Sequence, residues 1–200
     1  MLRRHGQATD GSAALGQSSA LDDARLVERI VARDLRAFET LYRSYHPRLT
    51  RFLMNILRRP QLVEEALNDT LMVVWRRPER YDGTSKVSTW IFSIAYRTAL
   101  KALSRHEEPR EDQDALSRTS PEASPEEQIG LRQTQERLQT AMNQLSIDHR
   151  AVLDLTYFHE TGYREIAEIM DCPLGTVKTR MHHARLHLRQ AMAGHLLDWL

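Results

Sequence analysis

The chain has 200 residues and a formal net charge of +1, enough length for one large or two small domains. Its single cysteine, Cys172, excludes an internal disulfide framework, and no apolar stretch approaches the ~20 residues of a membrane span. The near-neutral total does not exclude a nucleic-acid partner, because residues 105–128 carry eight acids and three arginines (−5), which leaves about +6 elsewhere.

Residues 1–20 are rich in Gly, Ser, Ala and Gln, so we predict a disordered tail. They lack the apolar segment of a secretory signal, and together with the lone cysteine this favours a cytoplasmic protein. From residue 21 to 105 helical periodicity predicts a first domain. Two helices are expected around Arg33 and Asp34. Pro47 either opens a further helix or kinks the second one, and Pro60 breaks the pattern.

Two later helices of this first domain carry distinctive outer faces. The apolar spacing of Val63, Leu67 and Leu71 predicts a helix with an acidic and polar exposed side. After a loop at 81–86, a helix at about 88–105 is both aromatic and basic, and residues 83–105 contain no carboxylate. Aromatic rings beside cations can stack unpaired bases while the cations follow the backbone. The alternative is that Trp90, with the neighbouring aromatic residues, belongs to the core.

The acidic stretch at 106–127 contains three prolines and several Ser and Thr residues, which favours an extended, flexible linker. A second helical domain is predicted at 128–195. No strand is expected, so the fold class is all-α, with two small helical domains joined by this linker.

A helix-turn-helix is predicted near the C-terminus. Ile166 and Met170 form the buried stripe of a first helix, and Pro173 suits the opening turn of a second. The second helix has an apolar face opposite a basic one, and residues 173–197 contain no Asp or Glu. A basic face of this kind is typical of a helix that reads the DNA major groove. The alternative is an ordinary amphipathic helix pair with a solvated basic face.

Other chemistry finds little support in the sequence. His183 and His187 have the i, i+4 spacing of metal ligands, but without nearby carboxylate or thiolate ligands we expect no metal site and no cofactor. The sequence contains no nucleophile elbow, phosphate-binding glycine loop or zinc-ligand spacing, so we expect no catalytic residues and no enzyme activity.

Four segments in this order resemble a known family. They are AFETLY at 37–42, VEEALNDTLMVVW at 63–75, STWIFSIA at 88–95, and the helix-turn-helix at 163–185. Together they are similar to the extracytoplasmic-function (ECF) group of bacterial sigma-70 RNA polymerase sigma factors. The resemblance implies that 21–105 is sigma region 2, a helical bundle, and that 128–195 is sigma region 4, which contains the helix-turn-helix.

The resemblance also implies functions for particular residues. The helix at 63–75 would bind the polymerase, the loop and helix at 82–105 would capture and melt the −10 element, and the helix at 175–189 would read the −35 element as duplex. The expected polymerase-binding residues are Glu65, Asn68, Asp69 and Met72. The expected −10 residues are Ser85, Lys86, Trp90, Tyr96 and Arg97. The expected −35 residues are Lys178, Thr179, His182, His183 and Arg185.

The implied partners are promoter DNA and core RNA polymerase, contacted at the clamp helices of its largest subunit and at its flap. An anti-sigma factor is a further expected partner, and no direct membrane insertion is expected. Two alternatives stay open. A homodimeric regulator could use the same helix-turn-helix on a palindromic operator, although it would not need the helices at 63–75 and 88–105. An RNA-binding or pure interaction protein would leave the recognition helix unexplained.

Overall fold

A computed structural model describes residues 22–106, the N-terminal block, and residues 138–191, the C-terminal block. Both are helical, and no strand occurs in either range. The all-α, two-domain fold is therefore confirmed. The domain limits remain predictions, because the predicted tail at 1–20 and nearly all of the predicted linker at 106–127 lie outside the described residues. None of the helices within the described ranges has the length and apolarity that a bilayer crossing requires.

The N-terminal block begins with α1 (22–31) and α2 (Leu35–Leu57). Arg33 takes a left-handed conformation (φ 64°) between them, and the Asp34 carboxylate caps α2 by accepting from the backbone N–H groups of Arg36 and Ala37. α2 continues through Pro47, so this proline does not open a new helix. The helix ends at Arg58, another left-handed residue (φ 58°).

The rest of this block consists of α3 (Pro60–Arg76), a short 3₁₀ turn (Pro78–Arg80) and α4 (Val87–Arg105). Pro60 stands at the first helical position of α3, where its missing N–H costs no hydrogen bond. α2, α3 and α4 pack against one another, and fully buried side chains such as Phe52, Ile56 and Ile91 fill the space between them.

The C-terminal block contains α5 (138–144), α6 (Ile147–Tyr157), α7 (Tyr163–Ile169) and α8 (Leu174–Ala191). Ser146 caps α6 by accepting from the backbone N–H of His149 at 3.3 Å. α8 packs on both α6 and α7, and the buried Val177, Met181 and Ala184 provide its inner face.

The two blocks share one hydrophobic core. α6 packs against α2, and α7 packs against α4. His159, in the loop after α6, is almost fully buried, with its ring centroid 4.6 Å from that of Phe92 and 6.1 Å from that of Phe52. The described structure therefore brings together two blocks that the sequence predicts only as tethered neighbours.

Candidate polymerase and DNA interfaces

The turn between α7 and α8 has the geometry of a helix-turn-helix. Asp171 is left-handed (φ 50°), and the next residue, Cys172, donates its backbone N–H to the Ala167 carbonyl at 3.0 Å. This sharp reversal is closed by a hydrogen bond from the Thr176 N–H to the Pro173 carbonyl at 2.9 Å. α8 is thereby fixed as a second helix lying across the first.

α8 presents the predicted −35 residues on its outer side. Lys178, Thr179, His182 and His183 are exposed, opposite the buried apolar face. Arg185 is partly covered, because its Nε donates to the Tyr157 hydroxyl at 3.1 Å and its guanidinium lies 5.7 Å from the centre of that ring. Four of the five residues thus form one accessible surface, and α6 holds the fifth in place.

Three histidines meet between α6 and α8. The His149 ring centroid lies 6.3 Å from that of His183 and 6.1 Å from that of His187. Partial burial, followed by the proximity of His187 and His183, lowers the pKa of His149 below its usual value. Within 22–106 and 138–191, no group of three His, Cys, Asp or Glu side chains is placed to hold a metal ion.

The predicted −10 residues lie around the start and middle of α4. Trp90 is half-buried and packs on Tyr81 with a ring separation of 5.4 Å, while Tyr81 donates its hydroxyl proton to the Ser85 carbonyl at 2.7 Å. The Trp90 side chain is therefore partly buried against the core and partly exposed to solvent. Arg97 is exposed and donates to Ser93 Oγ at 3.1 Å.

Two of these −10 residues contact the C-terminal block. Lys86 Nζ lies 2.5 Å from Glu165 Oε1 on α7. Tyr96 is only 4% exposed, and its hydroxyl donates to Asp148 Oδ1 on α6 at 2.5 Å. Burial, reinforced by this hydrogen bond, raises the pKa of Tyr96. Tyr96 is not free to reach DNA in this arrangement, whereas the Lys86 side chain stays 56% exposed beside Glu165. The assignment of both residues to the −10 element stays a prediction.

The predicted polymerase-binding residues lie on α3. Asn68, Asp69 and Met72 are exposed and share one side of the helix, with Met72 at 44% exposure. Glu65 differs, because its carboxylate is turned toward the end of α4, where it pairs with Arg105 at 2.9 Å and lies 3.6 Å from His106 Nε2. Three of the four residues are thus available to a partner without rearrangement.

Three residues at these surfaces, Asp148, Glu165 and Arg180, are not apparent from the sequence. Asp148 contacts both Tyr96 and Arg180, and Glu165 contacts Lys86. Arg180 is three positions after the buried Val177, so helical spacing placed it away from the predicted reading face. The two carboxylates are surface positions in a helical pattern, and only the packing of distant helices reveals their partners.

Comparison with known proteins identifies the family. Residues 41–108 match sigma-70 region 2, and residues 135–188 match sigma-70 region 4. The chain is 30% identical to the ECF RNA polymerase sigma factor RpoE of Cereibacter sphaeroides, over 80% of this chain and 89% of that protein. The chain belongs to the ECF group of sigma-70 family sigma factors. It is also 26% identical to the RNA polymerase sigma-H factor of Pseudomonas aeruginosa, over 85% of this chain and 93% of that one.

Two solved structures share its fold. The sigma factor RpoE of Bartonella quintana, solved with the anti-sigma factor NepR, aligns with a TM-score of 0.64 and 21% identity over 77% of this chain and 95% of that one. CnrH, solved with the cytosolic domain of CnrY, aligns with a TM-score of 0.61 and 18% identity over 84% and 96%.

Proposed function

We propose that this ECF sigma factor binds core RNA polymerase and directs promoter-specific transcription initiation, without catalysing a reaction of its own. Region 4 reads the −35 element as duplex, and region 2 captures and melts the −10 element. The observation that carries the proposal is α8, whose apolar side is buried on α6 and α7 while Lys178, Thr179, His182 and His183 face outward. Such a helix supplies both cations for phosphates and polar groups for base edges.

Region 2 supplies the complementary activities. The exposed Asn68, Asp69 and Met72 on α3 give a surface for the polymerase clamp helices, and the flap would contact region 4. Around α4, the cations Lys86 and Arg97 follow the strand backbone, and Trp90 offers a partly exposed ring for stacking on a displaced base. Flipping a base costs a few kcal/mol, which this stacking and the polymerase contacts offset.

The family context extends the proposal to location and control. A sigma factor acts where RNA polymerase is, so we propose a cytoplasmic protein. Because the fold matches a sigma factor that was solved together with an anti-sigma factor, we also propose that a protein inhibitor binds this chain.

The function is tested by abortive transcription with core polymerase and a library of promoter fragments. We expect specific initiation from a subset of fragments, with permanganate-reactive thymines near the −10 position. Lys178→Ala should weaken duplex binding uniformly and reduce the slope of log affinity against log salt by about one, because one phosphate contact is lost.

Arg43→Ala is the matched control for Lys178→Ala, since it removes one cation from α2, outside both predicted DNA surfaces, and should leave that slope unchanged. The proposal fails if no fragment is transcribed specifically. It also fails if the chain is a stable dimer that binds a palindromic duplex without polymerase, which would favour the regulator.

A further inference from the structure

A pocket lies between α2 and the loop that joins α6 to α7. Its volume is about 330 Å³, at the small end of the roughly 300–1,000 Å³ that ligand sites occupy. Three of its lining residues come from α2 and three from the loop, and none belongs to the predicted −10, −35 or polymerase surfaces. They are Pro47, Arg48, Arg51, Phe158, His159 and Glu160.

His159 gives the pocket a fixed inner wall. Its side chain is 4% exposed, its ring centroid lies 4.6 Å from that of Phe92, and its Nε2 lies 3.1 Å from Asp154 Oδ2. The Asp154 side chain is itself 1% exposed, so neither group moves without disturbing the shared core. The pocket is therefore formed before a ligand arrives, which reduces the entropy cost of binding.

Two arginines make one side of the pocket positive. Arg51 is exposed, and its guanidinium lies 3.7 Å from the centre of the Phe158 ring. In the part of the chain that the structure describes, no carboxylate forms an ion pair with Arg51. Arg48 lies 5.0 Å from the Tyr45 ring, and its charge also acts on Asp23. Arg51 thus keeps donors for an added anion, and a guanidinium matches the oxygens of a phosphate well.

The pocket also has an aromatic surface and an acceptor. Phe158 is 53% exposed, so a flat ring bound beside the arginines would gain contact with it. Glu160 brings a carboxylate to the same pocket, where it accepts hydrogen bonds and disfavours a second anionic group. A fitting ligand therefore has one anionic end, a planar ring, and a hydroxyl or amino donor.

We propose that this pocket binds a mononucleotide, which combines these three features in one small molecule. Arg48 and Arg51 donate to its phosphate, the exposed part of Phe158 packs against its base, and Glu160 accepts from an amino or hydroxyl group. The inference goes beyond the proposed function and does not depend on it, because binding concerns the purified chain without polymerase or promoter.

A bound mononucleotide contacts both blocks at once, because the arginines belong to α2 and the aromatic ring to the C-terminal block. It therefore stabilises the folded chain by mass action. At a nucleotide concentration about a hundredfold above the dissociation constant, the thermal midpoint should rise by roughly 5 °C.

Isothermal titration calorimetry of the full-length chain tests the site with GMP, AMP and UMP. We expect saturable binding of at least one of them, with the matching nucleoside and inorganic phosphate each at least about tenfold weaker, since each lacks part of the ligand. Equal affinity for inorganic phosphate would show a simple anion site and overturn the proposal. Binding of a DNA trinucleotide without any mononucleotide would also overturn it, as would no saturable binding up to about 1 mM.

Two variants locate the site. Arg51→Gln should weaken mononucleotide binding at least about tenfold, because charge-assisted hydrogen bonds to the phosphate are lost. Phe158→Leu should weaken it at least about fivefold, because the base loses an aromatic partner.

The chain offers a matched control for each variant. Arg43→Gln changes another exposed arginine of α2, and Tyr157→Leu changes the exposed aromatic residue next to Phe158, and neither residue lines the pocket. Both controls should bind as wild type does, and circular dichroism verifies that all four variants are folded. Equal losses in variants and controls would contradict a defined site. Unchanged binding in Arg51→Gln and Phe158→Leu would place the nucleotide elsewhere and overturn the proposal.

Discussion

Arg150 shows how one side chain serves both blocks. It is 9% exposed and donates to the Leu145 carbonyl at 2.6 Å and to the Ile56 carbonyl at 2.7 Å. Ile56 lies in the last turn of α2, where carbonyls lack an intrahelical partner, so Arg150 satisfies a group that the helix leaves open. Burial, with a smaller contribution from the nearby Arg58, lowers the pKa of Arg150 to about 10.

Substitution of Arg150 measures how much this contact contributes to the free energy of unfolding. We expect Arg150→Met to lower the free energy of unfolding by about 2 kcal/mol, because two charge-assisted hydrogen bonds are lost while the cost of burying the cation is relieved. Urea unfolding gives the value. Arg164→Met, at an exposed position of α7, should stay within about 0.5 kcal/mol of wild type. An unchanged stability for Arg150→Met would mean that its burial cost cancels its hydrogen bonds.

At the scale of elements, the contact between α6 and α8 includes a histidine, His149, whose pKa is lowered. His149 faces His183 and His187 from the recognition helix, with Asp148 and Arg180 also close enough to influence it. Because partial burial and the two histidines lower the pKa of His149, the unfolded chain binds its proton more readily than the folded chain. The contribution to stability therefore falls as pH drops below about 6.5 toward the depressed folded pKa.

This coupling predicts a pH effect that one substitution removes. Between pH 7.5 and 5.5, wild type should lose more thermal stability than His149→Gln. The reason is that His149, which binds a proton more readily in the unfolded chain than in the folded one, is present only in wild type. Differential scanning calorimetry at several pH values gives the comparison. His46→Gln on α2 is the control and should keep the wild-type pH dependence. An identical pH dependence for His149→Gln would show that this contact is not sensitive to charge.

Much of each element was predictable from sequence. The spacing of Val177, Met181 and Ala184 predicted the buried side of α8, and these residues are indeed buried. Helical periodicity is a local property, so a single sequence carries it. The effect of Pro47 was less certain, because the sequence could not decide between the start of a new helix and a kink. In the structure α2 continues through this proline. The direction of the Arg185 side chain was not predicted, because it depends on a hydrogen bond to Tyr157 on a neighbouring helix.

At the scale of the whole molecule, the blocks share a core and should unfold together. His159, which packs against both Phe52 and Phe92, is one of the side chains that couple them. In a Trp199→Phe background, tryptophan fluorescence reports only Trp75 and Trp90 of the N-terminal block. We expect urea curves from this signal and from far-UV circular dichroism to coincide.

His159→Ala should separate the two curves. Loss of the ring removes a buried contact worth on the order of 2 kcal/mol, so the C-terminal block would unfold at lower urea concentration and circular dichroism would change first. His46→Ala, outside the contact between the blocks, should leave the curves superimposed. Two distinct transitions in the unsubstituted background would contradict the coupling.

The contact between blocks is the part of the structure that the sequence did not predict. Tyr96 and Asp148 are 52 positions apart, and Arg150 and Ile56 are 94 apart. Neither pair follows a helical spacing, and each depends on how whole helices dock. Composition and periodicity therefore predicted two helical domains, and the family resemblance assigned Lys86 and Tyr96 to the −10 element. Neither indicated that both side chains contact the second domain.

The order of synthesis gives this shared core a further consequence. The N-terminal block leaves the ribosome first, with the buried faces of Phe52 and Phe92 still lacking their cover. About 64 residues separate the end of α4 from the end of α7, which takes roughly 3–13 s to translate at about 5–20 residues per second. During that interval the nascent first half exposes an apolar surface, so chaperones and proteases would meet it before its own second half is synthesised.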